Sequence, residues 1–355
     1  MMGNKILYIL LFFASQFVFA EKVDSIRIAY DYVYINPKKA IEIADRIIKT
    51  SNDRNDQITA RLIKTNAYSS LDDSYNALKY VFETYEYVKK EKDIFNEARI
   101  LGRIGELFQL YGYNTQSREY LDESVKLITS TSFPKEKRPM YLGNIYAIKG
   151  NGYKDDLDCD FALKYYNKSI AAYKSTKQNQ SVVNNLALVY IEKSNCLIDK
   201  QELDSASYFL NNALSVIKKN NLIEYDQSAK ISLARIHQSK REFRESNNLL
   251  NQVLKETNLA QELLVQNQVY KLLAKNAFEL KDYVAYKKYI DIIKTSNSKI
   301  EKINLKALER SFDYLLHKDQ TFLDKISFFK LPIFLIVVLL ILIFRKICKS
   351  NKKIA

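Results

Sequence analysis

Seven times between about Ser25 and Asn297 the chain repeats one pattern: an amphipathic stretch, a short break, and a second amphipathic stretch. The segment from Arg103 to Ile128 shows it most clearly. Ile104, Gly105 and Phe108 share one helix face, because residues three and four apart lie one above the other. Gly112 then stands at the break, where glycine adopts a left-handed backbone at no steric cost, and Leu121, Val125 and Ile128 give the second helix its own apolar stripe. The small residues Gly105 and Ser117 let the two helices approach closely. A hairpin of this size cannot bury both stripes alone, so it must stack against copies of itself. With 7 Gly and 4 Pro in 355 residues, punctuation is sparse, which suits long helices joined by short turns and argues against sheets or barrels.

Aligning the small residue early in each second helix gives Ala40, Ala77, Ser117, Ala162, Ala206, Ser246 and Tyr286, at spacings of 37, 40, 45, 44, 40 and 40. The first helices carry KTNAY (Lys64 to Tyr68), IGELF, LGNIY (Leu142 to Tyr146), LALVY (Leu186 to Tyr190), LARIH (Leu233 to His237) and LAKNA (Leu273 to Ala277). This large-small-x-x-aromatic first helix and small-x-x-x-large second helix resembles the tetratricopeptide (TPR) repeat, whose unit is about 34 residues. HEAT or armadillo arrays, at about 40 to 47 residues, are the structural alternative. From the aromatic to the small residue, four pairs count nine, whereas pairs four and five count sixteen (Tyr146 to Ala162, Tyr190 to Ala206). That difference predicts two seven-residue inserts: KGNGYKDDLDCD, a loop by its glycines and aspartates, and SNCLIDKQELD, which could be extra helical turns.

The ends read differently. Lys5, the apolar run Ile6 to Phe13 and Val18-Phe19-Ala20 form the pattern of a signal peptide over 1–20. An uncleaved anchor is the alternative. Leu331 to Phe344 carries no charge, and 326–344 at about 1.5 Å per residue reaches roughly 28 Å, enough for a bilayer. Arg345, Lys346, Lys349, Lys352 and Lys353 follow without an acid, which places the 345–355 tail in the cytoplasm by the positive-inside rule. The expected fold is therefore all-α: a right-handed solenoid of about seven TPR-like hairpins over 21–297, a capping or linker helix over 298–325, and one transmembrane helix over 326–344. The expected address is a single-pass membrane protein with its array in the periplasm. Of the net charge of +14, half resides in the two ends, so nucleic acid is not an expected partner.

Chemistry is sparse. No P-loop, G-x-S-x-G, H-E-x-x-H or paired C-x-x-C appears, and His237 and His317 alone make no typical His-rich zinc site, so neither an enzyme, a cofactor nor a metal is expected. Asp155, Asp156, Asp158 and Asp160 lack EF-hand spacing and read as a solvated turn. Cys159 and Cys196 fall in the two adjacent inserts, where a disulfide and two unrelated thiols are both open readings. The TPR resemblance implies a concave groove lined by first helices. It places Asn66, Arg99, Arg103, Glu106, Tyr141, Asn144, Asn185, Arg235, Lys271 and Lys275 toward a protein or peptide ligand. TPR domains that grip a terminal carboxylate are similar only in part, because Leu62 stands where their lysine would be. The whole chain is also similar to the exported TPR ectodomains of Bacteroidota-type membrane regulators. Two functions follow as expectations: a membrane-tethered scaffold binding a protein or peptide in the periplasm, or a co-sensor relaying to a separate cytoplasmic regulator.

Overall fold

The computed structural model describes residues 25–351 apart from 223–224 and 258–262, with side chains as far as Lys318. The expected signal peptide over 1–20 lies outside the described residues. Helix α1 spans 25–35, and then come α2 (Pro37–Thr50), α3 (Arg54–Ser70), α4 (Ser74–Lys89), α5 (Ile94–Leu110), α6 (Asn114–Thr129) and α7 (Arg138–Asp156). The series continues with α8 (Cys159–Lys174), α9 (Gln180–Asp199), α10 (Leu203–Asn220), α11 (Asp226–Ser239), α12 (Phe243–Glu256), α13 (Leu263–Glu279) and α14 (Tyr283–Asn351). From α3 onward each odd-numbered helix packs against the even-numbered helix after it, and α5, α7, α9 and α11 each also meet the next odd helix, so these odd helices share the inner face of the coil.

Local chemistry sets the breaks. Asn36, Asp73, Asp93, Asp158 and Asn179 each accept a bond from a backbone amide in the first turn of the helix they precede, at 3.0–3.2 Å, a cap worth about 1 kcal/mol. Five hairpin turns hold a left-handed residue five positions before the aligned small one: Asp72, Gly112, Gln201, Arg241 and Lys281. In each of these five, the next amide donates to the carbonyl nine positions before the small residue, as Asp73 does to Tyr68 and Glu202 to Leu197, both at 2.9 Å. Ala40, Ala77, Ser117, Ala162, Ala206 and Ser246 are all buried where second helices cross first ones.

That register corrects the expected inserts. The residue nine before Ala206 is Leu197, not Tyr190, and the residue nine before Ala162 is Tyr153, not Tyr146. No loop is inserted at either turn: α7 runs unbroken through Gly150-Asn151-Gly152 to Asp156. Seven residues make about two helical turns, so the motifs at Tyr146 and Tyr190 repeat the same face two turns early and imitate the signature. With the register restored, the large position of three first helices holds a buried lysine. Each reaches the preceding second helix: Lys64 to Asp45 at 2.7 Å, Lys149 to Asp122, and Lys193 to Asn167.

The far end holds a second correction. Among the described residues no helix is long and apolar enough to cross a membrane, which overturns the expected transmembrane helix over 326–344. With it falls the single-pass placement, periplasmic array and cytoplasmic 345–355 tail. No break separates a cap from the seventh hairpin, because α14 is one helix of 69 residues. Its described side chains, Tyr283 to Lys318, carry charge on almost every turn, among them Lys287, Asp291, Lys294, Glu301, Arg310 and Asp313, while a stripe that includes Ile293, Ser296 and Ser311 is buried against protein. The side chains of 319–355 lie outside the described ones.

The coil brings α14 back onto α4. Ser74 Oγ donates to the Ala307 carbonyl at 2.6 Å, and the Tyr113 and Ser311 hydroxyls meet at 3.1 Å. Arg310 pairs with Asp73 at 3.4 Å, Tyr314 stacks on Phe82 with ring centroids 5.8 Å apart, and Lys318 Nζ lies 3.3 Å from the centroid of the Phe82 ring. Ser311, more than 220 positions from α4, is fully buried.

Candidate functional site

The inner face carries two adjoining cavities. The first, about 260 Å³, lies between α3, α5 and α7, with Tyr30 of α1 at its edge. Asn66, Arg99, Arg103, Glu106, Tyr141 and Asn144 all line it. Leu62 supplies an apolar wall beside them. These residues meet because α3, α5 and α7 are consecutive inner helices whose groove faces point the same way.

The polar groups here are only partly satisfied. Arg103 donates to Glu106 at 2.7 Å, one turn along α5, and Arg99 donates to Asn96 at 2.7 Å. Arg103 Nε and Asn66 Oδ1 are buried without a partner among the described residues, which leaves a donor and an acceptor unused in one cavity. Burial opposes the Arg103 charge, but the Glu106 carboxylate outweighs it and holds the guanidinium above its ordinary value. Burial also pushes the Tyr141 hydroxyl up, with Arg99 pulling the other way, so Tyr141 remains a neutral hydroxyl.

The second cavity, about 240 Å³, shares Glu106, Asn144 and Ile148 with the first and continues toward α9. Asn185 enters here, donating to Asn144 Oδ1 at 3.0 Å. So do Asn151, Tyr166, Tyr173 and Glu192, which sequence reasoning missed. Asn151 was legible: it stands two before Tyr153, as Asn66 does before Tyr68, once the register is right. The tyrosines were not, because they belong to an outer helix, α8, and cross the hairpin to reach the groove.

Three expected groove residues lie on neither cavity. Arg235 is spent on α9, donating to Asn195 at 2.9 Å and Asp199 at 2.5 Å, while Lys271 and Lys275 are exposed on α13. A disulfide joins Cys159, the first residue of α8, to Cys196 of α9, with Cα atoms 5.2 Å apart. Each aspartate of the α7–α8 turn has its own task. Asp155 accepts from Gln109 at 2.8 Å, Asp156 pairs with Arg118, Asp158 caps α8, and Asp160 pairs with Lys200. Among the described residues no group of three metal-ligating side chains comes together.

No family model matches this chain, and no curated protein matches it in sequence. Solved structures do resemble it. The apo form of the quorum sensor NprR from B. thuringiensis superposes with a TM-score of 0.54 at 14% identity, covering 83% of this chain and 85% of that one. NprR in complex with its cognate peptide NprX gives 0.52 at 13% identity, over 84% and 83%. The apo form of RapI gives 0.52 at 13% identity, over 79% and 86%. At such identities the likeness speaks for the fold, and the fold is that of the TPR-like helical repeat proteins.

Proposed function

We propose that the chain is a binding scaffold that holds an extended stretch of a protein or peptide in its inner groove, across α3, α5, α7 and α9. The observation that carries this reading is the pair of buried, unpartnered groups, Arg103 Nε and Asn66 Oδ1, in a cavity that Arg99, Tyr141 and Asn144 also line. A peptide backbone offers one donor and one acceptor per residue, so it is the ligand class that fits such a mixed inventory. NprR, of similar fold, is described with a bound peptide, which favours the same class. Arg99 and Arg103 bias the α3–α5 end toward an acidic side chain or a terminal carboxylate, which a guanidinium holds with paired bonds. With Leu62 in the wall rather than a cation, that grip rests on the two arginines.

The test is selection of linear peptides from a random library against the full chain, followed by binding of the selected peptides to Arg99→Glu and Arg103→Glu. Removing a charge-assisted bond and leaving a like charge should weaken binding by roughly ten-fold or more. Undiminished binding to both variants would remove the groove as the site.

A further inference from the structure

The fourth hairpin contains one arrangement twice. Gly143 and Asn144 on α7 face Tyr173 on α8, and seven residues on, Gly150 and Asn151 face Tyr166. The Tyr173 hydroxyl donates to Asn144 Oδ1 at 2.7 Å, and the Tyr166 hydroxyl donates to Asn151 Oδ1 at 2.8 Å. Both rings are buried, at 1% and 0% exposure, and each lies where a Cβ on the facing glycine would sit. That Cβ would come within 2.5 Å of the Tyr173 ring at Gly143 and 2.4 Å of the Tyr166 ring at Gly150.

Packing alone does not ask for this. The positions equivalent to Tyr166 and Tyr173 hold Val81 and Val88 in the second hairpin, Leu121 and Ile128 in the third, and Leu210 and Ile217 in the fifth, all buried. Only the fourth hairpin of these uses tyrosines that pass across a glycine and end on a groove amide. Burial pushes both hydroxyls up, so they stay protonated donors. An amide whose oxygen is engaged by a donor must turn its NH₂ away from it. Neither Asn144 Nδ2 nor Asn151 Nδ2 has a partner among the described residues, and both asparagines line the second cavity.

We infer that Tyr166 and Tyr173 are positioning residues that fix two asparagine amides with their N–H groups facing the groove, making this half a sequence-tolerant site for the backbone carbonyls of an extended peptide. The inference rests on the peptide-binding reading above and deepens it. Asn144 and Asn151 lie about 10 Å apart along α7, seven residues at about 1.5 Å each, which on a peptide extended as polyproline II, at about 3.1 Å per residue, is three residues and one full turn, so both carbonyls face the same way. The two arms of the groove then divide the work: arginines read charge at the α3–α5 end, and oriented amides hold main chain at the α7–α9 end.

The test uses peptides selected by the full wild-type chain, measured against Tyr166→Phe and Tyr173→Phe. Each variant keeps the ring and loses only the hydroxyl. Affinity should fall roughly five-fold or more in Tyr166→Phe, and by a smaller factor in Tyr173→Phe, where Asn185 still donates to Asn144 Oδ1 at 3.0 Å. Peptide analogues in which single backbone carbonyls are replaced by methylene should lose a similar factor against the wild-type chain at two positions about three residues apart, and little further against the matching Phe variant. Tyr→Phe variants that bind as tightly as wild type, or that lose the same factor for every analogue, overturn the inference while leaving the groove in place. Should a Phe variant fail to fold, the carbonyl scan on the wild-type chain decides: no sensitive pair of carbonyls, no oriented amides. A wild-type chain that selects no peptide overturns the groove reading and this inference together.

Discussion

Two glycines one turn-fraction apart on α7 should respond to the same substitution with opposite sign. Gly150→Ala and Gly152→Ala each gain about 0.8–1 kcal/mol of helix propensity. At Gly152 the new methyl meets only Asn114 Oδ1 and Gln109 Cγ, at 3.5 and 3.6 Å, which is ordinary contact. At Gly150 it meets Tyr166 at 2.4 and 2.6 Å, and that ring is buried with its hydroxyl tied to Asn151, so it has no room to retreat. Overpacking of this kind costs about 1–3 kcal/mol, less when the surroundings yield. Gly152→Ala should therefore stabilise by up to about 1 kcal/mol and Gly150→Ala should destabilise by up to about 2, a separation of roughly 2 kcal/mol. Urea unfolding followed by circular dichroism measures both on one scale. Equal midpoints for the two variants would show that the Tyr166 contact is not the reason for glycine at 150.

Lys193 is buried over the Phe209 ring with Asn167 as its acceptor among the described residues, and burial, aided by Lys174, lowers its pKa below 10.5. The folded chain thus holds that proton less firmly than the unfolded one, so stability should rise with pH from the lowered value toward 10.5. Lys193→Met should flatten that rise in a series of urea midpoints and leave stability unchanged or up to about 2 kcal/mol higher. Tyr314→Ala should cost about 2 kcal/mol, less than the roughly 3–5 of a fully buried aromatic. Its signature is faster hydrogen exchange in both α4 and the 305–318 part of α14, with α10–α12 unaffected. Reduction of the Cys159–Cys196 bridge, 37 positions apart, should cost about 4 kcal/mol in the chain-entropy account. Melting temperatures with and without reductant check this, and the Cys159→Ser, Cys196→Ser double variant should be insensitive to reductant.

The hairpin architecture was legible because six small residues, Ala40 to Ser246, recur at one structural position and each is buried. What failed was phase rather than period. Helical faces repeat every two turns, so Tyr146 and Tyr190 satisfied the motif as well as Tyr153 and Leu197 do, and Gly150 looked like a loop when its role is to clear space for a ring. The same near-coincidence kept Asn144 on the groove despite the slip, since a shift of seven residues preserves the face. Charged residues proved hardest to place: Arg103 lines a cavity while Arg235, one turn further along its own inner helix, is consumed by Asn195 and Asp199 of the neighbouring helix. Partners on another repeat are invisible to a motif read within one. The apolar run near the C-terminus suggested a separate span, whereas the backbone continues one helix whose earlier half is polar and packed.

An open stack of hairpins is a soft spring, in which each unit feels only its neighbours and either tip can fray without the other noticing. The stitch between α4 and α14 removes that freedom, because Tyr314 and Ser311 tie the last unit to the second and third. Stretching the coil, or spreading it to admit something bulky, must first tear out this stitch, so a pulling experiment on the chain should show one early rupture before the gradual extension of the remaining units.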